Sequence, residues 1–276
     1  MTFSEPGPRA LTFDECRYDG SRLLFRGPRK SLDGDFIACL GGTETVGRFI
    51  PTPFPDLLEE ATGITCVNFG WPNAGVDVFA NDGALLDCAA RARLVVLQVP
   101  CAVNMSNMYY RVHPRRNDRF LQATEALQAL FPEVDFTEFS FTRHLLGRLQ
   151  ALSPERFAYI RRELSSVWVR GMCDVIGRIA APVVLLWLAA RSPDRDDDSP
   201  DLHDDPALVS RDMLEALRGE VHALVELELG EDARGAEADS TRTPQERRAA
   251  RELLGPGAHR AAADALAPVA TAILDR

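Results

Sequence analysis

Short apolar runs recur along the chain, separated by longer stretches of helical spacing. Phe36–Leu40 (FIACL), Thr65–Asn68 (TCVN), Leu94–Val99 (LVVLQV), Pro182–Leu188 (PVVLLWL) and His222–Leu229 (HALVELEL) read as buried strands. The first ends abruptly at Gly41-Gly42. Between the strands, Pro55–Thr62 has helical spacing and stops at Gly63. Asp77–Ala92 carries Val78, Leu85, Leu86 and Ala89 on one face. Further helices are predicted at Phe120–Leu130, Thr137–Leu152, Pro154–Arg178 and Asp212–Arg218. Thr243-Pro244 opens another, with an N-cap and a first-turn proline, and Ala258–Asp275 forms the last.

Apolar strands alternating with helices imply right-handed crossovers and a sheet covered on both faces. The fold class expected is therefore α/β: a three-layer α/β/α sandwich around a mainly parallel, flavodoxin-like sheet of about five strands. Residues 1–33, rich in Gly, Pro and Arg, read as an irregular N-terminal arm with a short hairpin near Arg22–Arg26. Residues 34–276 then form a single α/β domain. Its acidic segment 192–206 (SPDRDDDSPDLHDDP) reads as a mobile loop, and 230–243 as a polar one.

Composition narrows the setting. A formal net charge of -10 argues against general nucleic-acid binding, which needs a basic surface. The opening MTFSEPGPRA lacks a basic start followed by an apolar run, so no cleaved leader is expected. The longest apolar run, Ile179–Ala190, is too short to span a bilayer, which takes about 20 residues. The six cysteines form no CxxC pair and keep no zinc-ligand spacing with a histidine. They are expected as free thiols in a cytoplasmic protein that needs no metal or other cofactor.

In parallel sheets, ligands sit beyond the carboxyl ends of the strands. The first such loop, Gly41–Gly47 (GGTETVG), either holds an anion on backbone N–H groups or presents a nucleophilic hydroxyl from Thr43 or Thr45. It lacks a P-loop lysine. The second carries Gly75, either a crevice N–H donor or a plain turn glycine before an Asp-led helix. The third carries Asn104 and Asn107, able to donate to an oxyanion or to stabilise a turn. Near the end, His259 sits at a helix start, either where the dipole favours the neutral imidazole that a general base needs or as a plain solvent-exposed residue.

Taken in order, these blocks resemble those of SGNH-type (GDSL-like) hydrolases. GGTETVG is similar to their first block, VNFGWPNAGVD to their second, QVPCAVN to their third and GPGAHRAAADALAP to their last. The resemblance implies an SGNH-like sheet and an ester hydrolase or acyl transferase. In that reading Thr43 is nucleophile, His259 is general base, and Gly75 and Asn104 are oxyanion donors. Three departures accompany it: threonine stands where the family has serine, Pro256 occupies the place of the acid, and Asn104 lies slightly further beyond its strand than the family pattern puts it. FRGPRKSLDGDFIACLGGTETVGRFI and YRVHPRRNDRF resemble more closely an uncharacterised bacterial domain family.

One basic cluster stands out in this acidic chain. Arg111, Arg115, Arg116 and Arg119 follow the third strand and either bind an anionic substrate group or pair with surface carboxylates. His144 reads as a partly buried helix residue, and His203, in DLHDD, as a solvated loop residue. Three functions stay open: an esterase or acyl transferase acting on an anionic or carbohydrate-linked ester, a degenerate relative that binds an anionic glycan or metabolite, and a structural or interaction protein. The expected partner is a small molecule or glycan rather than nucleic acid or a membrane span. The sequence leaves the oligomeric state unassigned.

Overall fold

The computed structural model describes residues 13–195, 200–230, 233, 235 and 243–275. Much of the polar segment 230–243, part of the acidic segment 192–206 and the first third of the N-terminal arm lie outside the described residues.

The central sheet contains β3 (Phe36–Gly41), β4 (Thr65–Gly70), β5 (Leu94–Gln98), β8 (Val183–Ala189) and β9 (Ala223–Glu228). All neighbours are parallel, in the order β4-β3-β5-β8-β9. The order reverses beside β3, which is a flavodoxin-like arrangement with its switch point between β3 and β5. Two antiparallel hairpins lie outside it: β1 (Glu15–Cys16) with β2 (Phe25–Arg26), and β6 (Tyr110–Val112) with β7 (Phe120–Ala123).

Side chains alternate between two apolar layers. Ile37, Cys39, Leu94, Val96, Val184 and Leu186 meet α2 (Phe54–Thr62) and α10 (Pro256–Leu274) on one face. Ala38, Leu40, Val95, Leu97, Leu185 and Trp187 face the other layer, which holds α3 (Val76–Ala80), α4 (Gly83–Ala89), α6 (Thr142–Leu152) and α7 (Pro154–Arg178). Burial on both faces explains why these strands are nearly continuous apolar runs. The three-layer α/β/α fold expected from the sequence is the one observed.

The remaining helices are α1 (Thr43–Val46), α5 (Glu125–Leu130), α8 (Arg211–Glu215) and α9 (Pro244–Glu252). Helix α7 spans the residues its spacing predicts, with Ser153 accepting the Arg156 N–H at its start. At α9, Thr243 and Glu246 form a reciprocal capping box.

Three predicted helices need correction. Asp77–Ala92 divides into α3 and α4, because Asp82 turns back to accept the Leu85 N–H and starts a new helix. Phe120–Leu130 begins instead as strand β7, with Phe120 inward and Leu121 outward. Thr124 then caps α5. Thr137–Leu152 is a short 3-10 turn at Phe136–Glu138 followed by α6.

Residues 13–33 contribute to the core. Tyr18, Leu23 and Phe25 are buried, and the Tyr18 and Phe25 rings meet Phe69 of β4 edge-on at 5.0 and 5.1 Å. No helix among the described residues is long and apolar enough to cross a membrane.

Candidate functional site

A cleft of about 120 Å³ opens at the carboxyl ends of β3, β5 and β8. Thr43 and Glu44 come from the turn after β3, Asn73 from the loop after β4, and Asn104 from the loop after β5. Arg143 of α6 and His203 and Asp205 from the segment after β8 complete one side, and Glu252 at the end of α9 faces them.

The turn that carries Thr43 is braced from several directions. Gln98, the last residue of β5, accepts the Gly42 N–H (3.1 Å), the Thr45 N–H (3.2 Å) and the Thr45 hydroxyl (2.6 Å) through Oε1. The Asn68 amide donates to the Thr45 carbonyl at 2.7 Å. Gly47 closes α1 at φ 61°, a conformation that favours glycine. The Arg26 guanidinium then donates to four carbonyls of the exit from the turn: Val46 (3.2 Å), Gly47 (2.6 Å), Ile50 (3.0 Å) and Pro51 (2.8 Å).

A chain of hydrogen bonds runs across the cleft floor. The Thr142 hydroxyl donates to Asn104 Oδ1 at 2.8 Å. Asn104 Nδ2 donates to the Asn73 carbonyl at 3.1 Å. The Asn73 N–H reaches Thr43 Oγ1 at 3.0 Å, and that hydroxyl faces Asn73 Oδ1 at 3.3 Å. Asn73 holds φ 54°, which asparagine tolerates better than most residues. The loops also approach very closely: a Cβ at Gly75 would lie 1.7 Å from the Asn104 carbonyl oxygen.

The charges of the cleft are mixed. Arg143 donates to the Leu202 carbonyl and to the Asp205 carboxylate. Glu44 accepts the Leu254 N–H at 3.3 Å and lies 4.0 Å from His259 Nε2. Cys101 also lines the cleft, but burial pushes its thiol up to about 11, so it stays protonated and unreactive near neutral pH. Among the described residues no group of three or more His, Cys, Asp or Glu side chains is placed to hold a metal ion.

The family described as Domain of unknown function (DUF6473) matches residues 1–274. The chain belongs to this family. No curated protein matches it. Among solved structures, the crystal structure of the lipase Lip_vut3 from goat rumen metagenome is similar at 11% identity and a TM-score of 0.45, covering 84% of this chain and 96% of that one.

In this DUF6473 chain, Thr43 and Asn104 line one cleft, linked through Asn73. Gly75 lies against Asn104, with its N–H donated to Asn117 Oδ1 at 3.1 Å. His259 is fully buried. Its Nδ1 accepts the Phe54 N–H at 3.1 Å, its ring stacks on Phe54, and its Nε2 has no hydrogen-bond partner. Burial, helped by the charge of Arg26, pushes its pKa down to about 4. Thr43 therefore bonds Asn73 rather than His259.

Arg111, Arg115, Arg116 and Arg119 do not line this cleft. Arg111 donates to the Asn107 carbonyl, and Arg119 lies over the Phe141 ring at 5.1 Å. Arg115 and Arg116 are exposed, and their N–H groups donate to His113 Nδ1. Their neighbour Asn117, fully buried, accepts the Gly75 and Val78 N–H groups and donates to the His113 carbonyl, fixing the start of α3.

Sequence reasoning did not single out Asn73, Gln98, Asn117 or Arg143. Gln98 carries a visible signal, as the one polar residue within LVVLQV. For Asn73, Asn117 and Arg143, nothing local separates them from ordinary loop and helix-start residues.

Proposed function

We propose that the protein is an SGNH-like ester hydrolase or acyl transferase, with Thr43 as nucleophile and a short acyl group on a carbohydrate as its substrate. The observation that carries this reading is the convergence of the Thr43 hydroxyl with the Asn73 and Asn104 amides at the switch-point cleft. Attack by Thr43 places negative charge on the ester carbonyl oxygen. Asn104 Nδ2 lines the cleft and can turn to it, exchanging its bond to the Asn73 carbonyl, while the Gly75 N–H beside it is held by Asn117.

The size and charge of the cleft support the substrate class. Pockets for drug-sized ligands run to roughly 300–1,000 Å³; this one is suited to a short acyl group. Carboxylates from Glu44, Asp205 and Glu252 beside amides from Asn73 and Asn104 suit sugar hydroxyls better than an added anion.

A binding function without chemistry is the second reading. It is favoured by the closed environment of His259 and by the internal satisfaction of the Gly75 and Asn104 donors. Hydrolysis of p-nitrophenyl acetate and of an acetylated monosaccharide decides between them. The ester reading expects turnover by the wild type and at least a ~10²-fold loss in Thr43→Ala with unchanged circular dichroism. An inactive wild type whose melting temperature rises with added mono- or disaccharide would establish the binding reading instead.

A further inference from the structure

A nucleophilic threonine needs a base, and the histidines are not equivalent candidates. His259 is sealed beneath α2, with Nδ1 committed to Phe54. His113 Nδ1 accepts the Arg115 and Arg116 N–H groups at 3.2 Å each. His144 sits edge-on to Phe139 at 4.9 Å. His222 immediately precedes β9, at the end of the sheet opposite the cleft. Among the five histidines, His203 alone lines the cleft with Thr43.

The segment that carries His203 is anchored on both sides of it. Arg143 donates to the carbonyl of Leu202, immediately before His203, and to the carboxylate of Asp205, two residues after it. Gln150, also on α6, donates to the Pro200 carbonyl at 3.2 Å. The His203 N–H is held by Asp201 Oδ1 at 2.8 Å, and Leu202, Pro206 and Ala207 are buried. The His203 side chain is exposed and lines the cleft. The neighbour of Arg143, Thr142, holds Asn104 through its hydroxyl. Two adjacent residues at the start of α6 thus hold the Asn104 amide and the backbone that carries His203 beside the same cleft.

We propose that His203 is the general base that activates Thr43, and that Arg143 is a positioning residue that holds it there. This inference rests on the ester-transfer reading above. The His203 imidazole takes the Thr43 hydroxyl proton as Oγ1 bonds to the ester carbonyl carbon. The tetrahedral intermediate collapses, the bond to the alcohol oxygen breaks, and the leaving alcohol takes the proton from His203. Water then attacks the acyl-Thr43 ester, giving its proton to the same imidazole. The Thr43 oxygen leaves with that proton, releasing the carboxylic acid.

The test uses the full chain with p-nitrophenyl acetate in wild type, Thr43→Ala, His203→Ala, Arg143→Ala and the His203→Ala/Arg143→Ala double variant. His203→Ala is expected to lose ~10²-fold or more in kcat at similar KM, with partial rescue by added imidazole. Arg143→Ala should lower kcat, and the double variant should be no worse than His203→Ala, which a merely structural role for Arg143 would not produce. A His203→Ala variant with wild-type kcat overturns the inference while leaving Thr43 as nucleophile. An inactive wild type, or an active Thr43→Ala, overturns the ester reading and this inference with it. His203→Ala alters only an outward-facing side chain, so its result stands even where Arg143→Ala fails to fold.

Discussion

His259 shows how one residue's surroundings decide its chemistry. Its ring is fully buried, an N–H donor occupies Nδ1, and its pKa is lowered from 6.5 to about 4. The unfolded chain therefore binds a proton here more readily than the folded one. The contribution is fully present above about pH 6.5 and is lost as pH falls toward 4, amounting to roughly 3 kcal/mol there. Urea midpoints at pH 7 and pH 4.5 check this: His259→Gln should lose less stability between the two than wild type does. An identical loss in both proteins would refute the assignment. At Gly75, a methyl group would meet the Asn104 carbonyl head-on. Gly75→Ala should cost about 1–3 kcal/mol in chemical denaturation, the usual range for overpacking. The sequence offered two meanings for Gly75, donor or turn residue, and neither anticipated this approach. Contact with a chain segment far away in sequence leaves no trace in local spacing.

At the scale of elements, α6 is the organiser of the cleft. Thr142 and Arg143, in its first turn, bond Asn104 and the His203 segment respectively. Thr142→Val keeps the shape but strips the donor from a buried amide oxygen, at a cost of about 1–3 kcal/mol. Thermal unfolding should register that loss, and a melting temperature equal to wild type would contradict it. Arg143→Ala should speed amide hydrogen exchange across residues 200–207 and leave the β3 amides protected. Exchange that is unchanged in 200–207 would show the segment to be held by other contacts. These roles were hidden in the sequence because apolar spacing predicts that a helix packs, and says nothing of what its first polar turn grips. The same limit explains β7. FLQA is too short to outweigh the helical spacing that follows, and its pairing with β6 settles the matter from outside.

Across the whole molecule, the sheet was the most legible feature. The inner strands, buried on both faces, appeared as apolar runs bounded by turn residues, and the parallel arrangement followed from the helices between them. The loops beyond the carboxyl ends could be located from that alone, and Thr43 and Asn104 do line the cleft there. The positions of His203 and Arg143 were harder to read. Both depend on how the segment after β8 folds back onto α6, a long-range docking that composition cannot report. The acidic content of that segment suggested solvation, yet Leu202, Pro206 and Ala207 are buried within it.

The bracing of the Thr43 turn also has a temporal side. Arg26 reaches carbonyls only 20 to 25 positions further along the chain. Closing so short a loop costs little entropy, so this bracket can form while synthesis is still under way. The bond from Phe54 to His259 spans 205 positions and must wait for the last helix. A nascent chain halted before residue 256 would hold the Thr43 turn already shaped, with one face of the sheet covered by α2 but still lacking α10.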